Sequence, residues 1–444
     1  TGEGVDALRE AIQAAIPPRR EDPTLNRVFR MPILRAFVAA GRGAVVTGIP
    51  LSGAVAEGEA VDVMPPGWSG KIRAIQVHRR PETEARAHRR TALAMSDVQA
   101  DRVKRGMVVA TKGVLQPVRR LAVTLRLLPG APALEHRDRV RLHAGAAQTV
   151  ARVHLLEGAR AKPGDEAVAE LEAFEDVVAL PGDRFVLRTE NASDTLGGGV
   201  IVELLQRRLP RKREGIVRRL RERAAHLDDP AQLVAADLAS AGESGARQAD
   251  VAARTGVRPA LLSDLVDALV AEGRALRLGH AKDLWIDKAA FEAVLERVEG
   301  GAKRLHAKDA ALASLPVSAV QTAAGRVTSS VLDAAMDQLV TSGRLVREGR
   351  DGIRHKDHSS SLSDADQRDL ERVRAALARG EGQPPAPEDL EADLSLTRPR
   401  VERLLRLLVN RREAFQAGEY FFDQGWTDAS TAKLAAFAAE HGGF

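Results

Sequence analysis

The chain has 444 residues, of which 44% are hydrophobic and 29% charged, with a formal net charge of +5; that length suggests about three or more domains. No run approaches the ~18 uncharged apolar residues that cross a bilayer, and Glu3, Asp6 and Glu10 read against a signal peptide. The absence of cysteine excludes a disulfide framework, an iron–sulfur cluster and Cys-ligated zinc.

Of 66 basic residues only 11 are lysine. Arginine's planar fork suits phosphates and stacked bases, and high-GC coding produces the same bias. A charge of +5 over this length points to local basic patches rather than a wholly cationic binder.

In chain order, Thr1-Gly2-Glu3-Gly4 reads as a tight turn opening an amphipathic helix that carries Val5, Leu8 and Ile12. Residues 26–114 hold short β-type runs between glycine and proline turns, among them Gly43–Gly48, Gly70–His78 and Arg105–Ala110. A second set runs over 119–205. Turn signals about every ten residues predict two consecutive antiparallel β-barrels or sandwiches. At Pro210 the character becomes helical, behind a basic hinge, Arg207–Gly215. Leu269-Val270, Leu339-Val340 and Leu408-Val409 then recur, each closing a helix with apolar positions at i, i+1, i+4 and i+5. Two strand-like segments follow each helix, over Gly273–Asp287, Gly343–Asp357 and Arg412–Asp423. Helix, helix and hairpin predict tandem winged-helix modules, a helix-turn-helix variant. Lys356–Asp364 reads as a linker, and 427–440, with Leu434 and Phe437 on one face, as the opening helix of a fourth module.

These residues together resemble the selenocysteine-specific elongation factor (SelB) family. Thr-Gly-x-Gly resembles the turn that closes the guanine-recognition loop of translational GTPases. Pro32-Ile33-Leu34-Arg35-Ala36-Phe37 with Val45-Val46-Thr47-Gly48 resembles the opening strand pair of domain II. Gly182-Asp183-Arg184-Phe185 with Thr195-Leu196-Gly197-Gly198-Gly199 resembles the close of domain III. The resemblance implies a multidomain β + α chain of two elongation factor Tu-like barrels followed by tandem winged helices. The implied divisions are 1–20, the last helix of a missing G domain; 21–114 and 115–207, the barrels; 208–288, 289–358 and 359–424, winged helices; and 425–444, the start of a truncated fourth.

The implied function is to carry selenocysteinyl-tRNA on the barrels and link it through the winged helices to an mRNA recoding hairpin on the ribosome, for selenocysteine insertion at UGA. A cytoplasmic monomer with no membrane partner is expected. Neither Gly-x4-Gly-Lys-Ser/Thr nor Asn-Lys-x-Asp occurs, so no enzyme activity and no cofactor are expected of this chain. GTP and Mg belong to the parent protein, a translational GTPase. Asp194-Thr195-Leu196-Gly197 fits Asp-x-x-Gly by chance, with Gly197–Gly199 read as strand-turn glycines.

By resemblance, Arg35, Arg90 and His88 line the aminoacyl pocket, where cations favour an ionised selenol over a neutral serine. Leu34 stands where the family has Asp, and Ala87-His88-Arg89 where Gly and Gln are usual. His143 matches a family histidine, but a lone histidine on a strand reads more readily as structural. No metal site is expected. RNA-binding candidates are Arg184 on the second barrel, Arg258, Arg326, Arg398 and Arg400 at recognition-helix entries, and Arg411 and Arg412 near a wing, with Arg344, Arg347 and Arg350 near another. Two other classes stay open: a winged-helix nucleic-acid-binding regulator, and a tRNA-binding scaffold resembling the gamma subunit of initiation factor two.

Overall fold

Alternation of apolar and polar residues decides which face of each strand turns inward, and in the first barrel it does so row by row. The computed structural model describes residues 2–15, 23–39, 43–278, 283–309, 312–349, 351–358, 364–380 and 382–441. Helix α1 (Val5–Ala15) comes first, with Val5, Leu8 and Ile12 exposed. The barrel uses β1 (Arg30–Ala39), β2 (Gly43–Gly48), β3 (Ala54–Ala56), β4 (Ala60–Met64), β5 (Trp68–Val77), β6 (Arg80–Glu82), β7 (Glu84–Arg86), β8 (Thr91–Ser96) and β9 (Val108–Thr111). The order β4-β9-β1-β2-β8-β5 closes through a β4–β5 pairing, with β6 added to β5 and β3–β7 as a separate ribbon. Directly paired residues share a face. Thus Ala36, Val46, Leu93 and Ile75 form an inward row of the core, and Arg35, Thr47, Ala92 and Gln76 an outward one.

The second barrel comprises β10 (Val118–Leu127), β11 (Leu134–Glu135), β12 (Arg139–Ala144), β13 (Ala147–Leu155), β14 (Arg160–Ala161), β15 (Glu166–Val177), β16 (Arg184–Thr189) and β17 (Thr195–Leu205). It closes in the order β10-β15-β13-β12-β16-β17. Gly197–Gly199 are not turn glycines. They lie inside β17 between β10 and β16, and a Cβ on Gly199 would sit 1.8 Å from the Thr124 carbonyl oxygen. Only glycine admits that backbone approach.

Outward Ala122, Val168 and Val202 are nevertheless buried, because Val217 and Leu220 of α2 (Glu214–Ala224) cover them. The basic segment before α2, expected as a hinge, is tied to this barrel. Arg211 donates to the Leu155 carbonyl at 3.0 Å and the Gly158 carbonyl at 2.7 Å. The Leu209 and Lys212 amides donate to Glu170 and to the Leu156 carbonyl.

Three helix-plus-hairpin modules follow. The first has α3 (Pro230–Ala241), β18 (Ala246–Arg247), α4 (Gln248–Thr255), α5 (Pro259–Ala271), β19 (Ala275–Arg277) and β20 (Leu284–Asp287), the strands ordered β18-β20-β19. The second repeats the plan with α6 (Lys288–Lys308), β21 (Leu315–Pro316), α7 (Val317–Ala324), α8 (Ser329–Thr341), β22 (Leu345–Glu348) and β23 (Gly352–His355). The third has α9 (Asp364–Gly380), α10 (Pro387–Leu394), α11 (Arg398–Asn410), β24 (Ala414–Ala417) and β25 (Tyr420–Asp423), and α12 (Gln424–His441) follows. The stripes at Leu262, Val266 and Leu269, at Val331, Leu332, Ala335 and Met336, and at Val401, Leu404 and Leu405 are buried, as the apolar faces of amphipathic helices require. Leu434 and Phe437 of α12 are exposed. Part of the expected linker, residues 359–363, lies outside the described residues. Among the described residues no helix is long and apolar enough to cross a membrane.

Thr1–Ala290 forms one compact unit and Phe291–Phe444 another. Within the first, barrels and module meet at the start of β1. Arg30 forks onto both carboxylate oxygens of Asp183, and Arg27 donates to the Pro181 carbonyl at 2.8 Å and the Leu227 carbonyl at 3.3 Å. The Val28 amide donates to the Gly256 carbonyl. A partly buried ion network adds to this: Glu203 of β17 takes Arg219 at 2.6 Å and Arg223 at 3.6 Å, while Asp237 of α3 takes Arg254 of α4 at 2.8 Å.

Candidate nucleic-acid interface

Thr47, Ala92 and Gln76 of the outward row line a cavity of about 440 Å³ together with Phe37, His78, Arg79, Arg90 and Thr91, while Arg35, at the end of that row, is not among its lining residues. The end of this cavity is shaped by backbone. Val77 pairs with Arg80, so His78 and Arg79 form the two-residue turn between β5 and β6. Both are left-handed, with φ of 50° and 69°. Such turns are normally Asn-Gly or Asp-Gly, and non-glycine residues there cost about 1–3 kcal/mol each. The His78 amide donates to the Arg90 carbonyl at 3.1 Å, fixing the entry to β8 beside the turn.

The side chains of Arg35 and Arg90 are exposed and make no hydrogen bond or ion pair among the described residues. Leu34 sits at the irregularity where the β1–β2 register shifts between Ile33 and Arg35. Sequence reasoning missed His78 and Arg79; their signal was the basic run His78-Arg79-Arg80, whose mirror-image turn leaves no mark in composition.

The structure separates His88 from Arg90. His88 is left-handed at φ 65°, its amide donates to the Pro50 carbonyl, and its Nε2 lies 3.3 Å from the Thr24 hydroxyl. It lines a different cavity, together with Arg184. His143 lies on β12 between Gln148 and Val186; burial, then Arg188 and Arg141, push its imidazole below the ordinary value.

The winged-helix arginines divide into two groups. Arg258, at the N-cap of α5, Arg326, ahead of α8, and Arg411 and Arg412, between α11 and β24, are exposed, with side chains that make no hydrogen bond or ion pair among the described residues. The others serve their own modules. Arg398 pairs with Glu388 at 3.1 Å and Glu402 at 3.2 Å, and Arg400 with Asp366 at 3.0 Å and Asp369 at 2.8 Å. Arg344 pairs with Glu299, and Arg347 with Asp337. Arg350 lies outside the described residues.

The family model "Selenocysteine-specific elongation factor, beta-barrel domain" matches residues 119–208, which takes in every strand of the second barrel beyond the start of β10. The selenocysteine-specific elongation factor of Desulfomicrobium baculatum is 27% identical over 434 residues, covering 95% of this chain and 66% of that protein. That of Escherichia coli is 32% identical over 204 residues, 46% of this chain and 31% of that one. Elongation factor Tu 2 of Streptomyces avermitilis is 29% identical over 203 residues, 44% of this chain and 51% of that one. The chain thus spans just under two thirds of the Desulfomicrobium relative's length. A crystal structure of bacterial selenocysteine-specific elongation factor EF-Sec shares the fold, with a TM-score of 0.57 at 18% identity over 98% of this chain and 66% of that one. With one relative aligned along almost all of the chain, a family barrel in its middle and a common fold throughout, this chain is similar to selenocysteine-specific elongation factors along nearly its whole length.

Proposed function

We propose that this chain holds selenocysteinyl-tRNA on its first barrel, with the aminoacyl group in the Arg90 cavity, and contacts the mRNA recoding hairpin through its winged helices in the cytoplasm, on the ribosome. The observation that carries this reading is the cavity's wall: Arg79 and Arg90 beside Thr47, Gln76 and Ala92 of the outward row, with no carboxylate among its lining residues. A selenol is ionised near neutral pH and a serine hydroxyl is not, so guanidinium groups at the wall favour the first cargo. Phe37 and Thr47 on the same wall offer apolar and hydroxyl contacts to the rest of the aminoacyl group.

Arg258, Arg326, Arg411 and Arg412, whose forks are uncommitted among the described residues, supply phosphate contacts at recognition-helix entries and at one wing. Arg398 and Arg400, bound within their module, orient the helix that bears them.

In this reading a GTP- and Mg-dependent step of the whole protein times release of the cargo. The residues of this chain do not fit that group. It contains no phosphate-cradle or guanine-recognition run, and among the described residues no cluster of His, Asp or Glu could hold a metal ion.

Arg90→Ala tests the assignment. It should weaken selenocysteinyl-tRNA by about 10–100-fold, the equivalent of about 1.5–3 kcal/mol for one charged contact, and seryl-tRNA much less. Equal losses in a filter-binding titration of both tRNAs would assign Arg90 to the RNA backbone or to structure.

A further inference from the structure

A second cavity, of about 410 Å³, lies where the two barrels and the first winged-helix module meet. Its size falls within the range of small-ligand sites, which favour domain junctions. The first barrel contributes Arg27, Arg30 and His88, the second Asp183 and Arg184, and the first module Asp228.

The charges in its wall do not balance. Both oxygens of Asp183 are occupied by Arg30, and one of them also accepts the Leu180 amide. Among the described residues Arg27 meets only neutral acceptors, the Pro181 and Leu227 carbonyls, so its charge has no directly bonded counter-ion there. Burial lowers its pKa, as the environment of an under-compensated cation does. The field of Asp183, already bound by Arg30, and that of the exposed Asp228 only partly offset that cost, and Arg30 adds to it. Arg184 is exposed, with no side-chain partner among the described residues. The Nε of Arg30 is buried without any hydrogen-bond partner, although buried donors are nearly always satisfied. Gly182 leaves space beside Arg27, since a Cβ there would lie 3.4 Å from its Nη1.

We propose that this junction cavity binds a phosphate group, with Arg27 and Arg184 as its cationic contacts and His88 at its rim. Guanidinium forks match the oxygen spacing of phosphate, and such a ligand supplies the counter-charge that Arg27 lacks. The phosphate is either a free species or a phosphodiester of bound RNA. The site is separate from the Arg90 cavity and does not depend on what that cavity holds.

The test uses the full chain and inorganic phosphate or pyrophosphate at constant ionic strength, so that general screening is held fixed. Calorimetry should show saturable binding, and Arg184→Gln, a change at an exposed side chain, should weaken it by about 10–100-fold. Arg27→Lys keeps a charge but loses the fork, and should also weaken binding; circular dichroism checks that it folds. Absence of saturable binding by the wild type, or unchanged affinity in the Arg184 variant, would overturn the proposal. A short RNA duplex added to the phosphate-saturated chain identifies the source. Displacement marks an RNA phosphodiester as the ligand, whereas continued phosphate binding marks a free species.

Discussion

Gly256 shows how much a single residue can decide. It ends α4 at φ 71°, and a Cβ there would lie 2.3 Å from Cδ1 of Leu180, a fully buried residue of the second barrel's core. Gly256→Ala should therefore destabilise the first unit by about 2–4 kcal/mol, combining overpacking with a left-handed backbone. A urea unfolding midpoint unchanged from wild type would show that the junction yields freely. Side-chain direction was the part of the candidate site least legible in the sequence. Arg90 and His88 are two residues apart and face different cavities, because the chain turns through a left-handed His88. A non-glycine residue in that conformation gives no warning in sequence. The ion pairs of Arg398 and Arg400 were equally hidden, since Glu388 and Asp366 reach them from other helices.

At the level of elements, the second module carries a buried histidine cluster that makes its stability depend on pH. His306 of α6 stacks on His358 at 3.6 Å between centroids, and its Nε2 accepts the His355 amide. Its Nδ1 is buried without a hydrogen-bond partner. Burial, then the neighbouring His358, His355 and Arg354, pushes His306 down to about 4. The Asp357 amide donates to His355 Nδ1, so His355 Nε2 donates to Glu299, which this bond, Lys303 and Arg344 hold at about 2. Both folded values lie below the unfolded ones, so the unfolded chain binds more protons and stability falls with acid. The His306 contribution is lost as pH drops from about 6.5 to about 4, and that of Glu299 from about 4.5 to about 2. His306→Phe should flatten the fall in urea midpoint over the upper window and leave the lower one; an unchanged profile would exclude His306 as its source. The repeat behind this module was legible because Leu269-Val270, Leu339-Val340 and Leu408-Val409 mark the same buried turn three times. The barrels were legible from strand alternation and turn spacing. The covering of Ala122, Val168 and Val202 by α2 was not, because a strand buried on both faces and one buried on a single face differ by only a few small residues.

For the whole chain, the ion network between β17 and the first module predicts a cooperative unit. Asp237→Ala leaves Arg254 without its carboxylate and Arg223 with Glu203 but without the second negative charge beside it, and should cost about 3–5 kcal/mol. Fluorescence of the buried Trp285 and the far-ultraviolet signal of the barrels should move together in that variant; a Trp285 transition that separates from the barrel signal would show that the module melts alone. The tied-down segment Arg207–Gly215 carries a mechanical consequence. As a free coil, nine residues would give an end-to-end spread of about 15–18 Å, enough slack to swallow a pull on the module before the barrel felt it. Anchored through Leu209, Arg211 and Lys212, it has little slack to give. A tug on the first module is delivered to the second barrel as torque, which makes the module a lever rather than a tether.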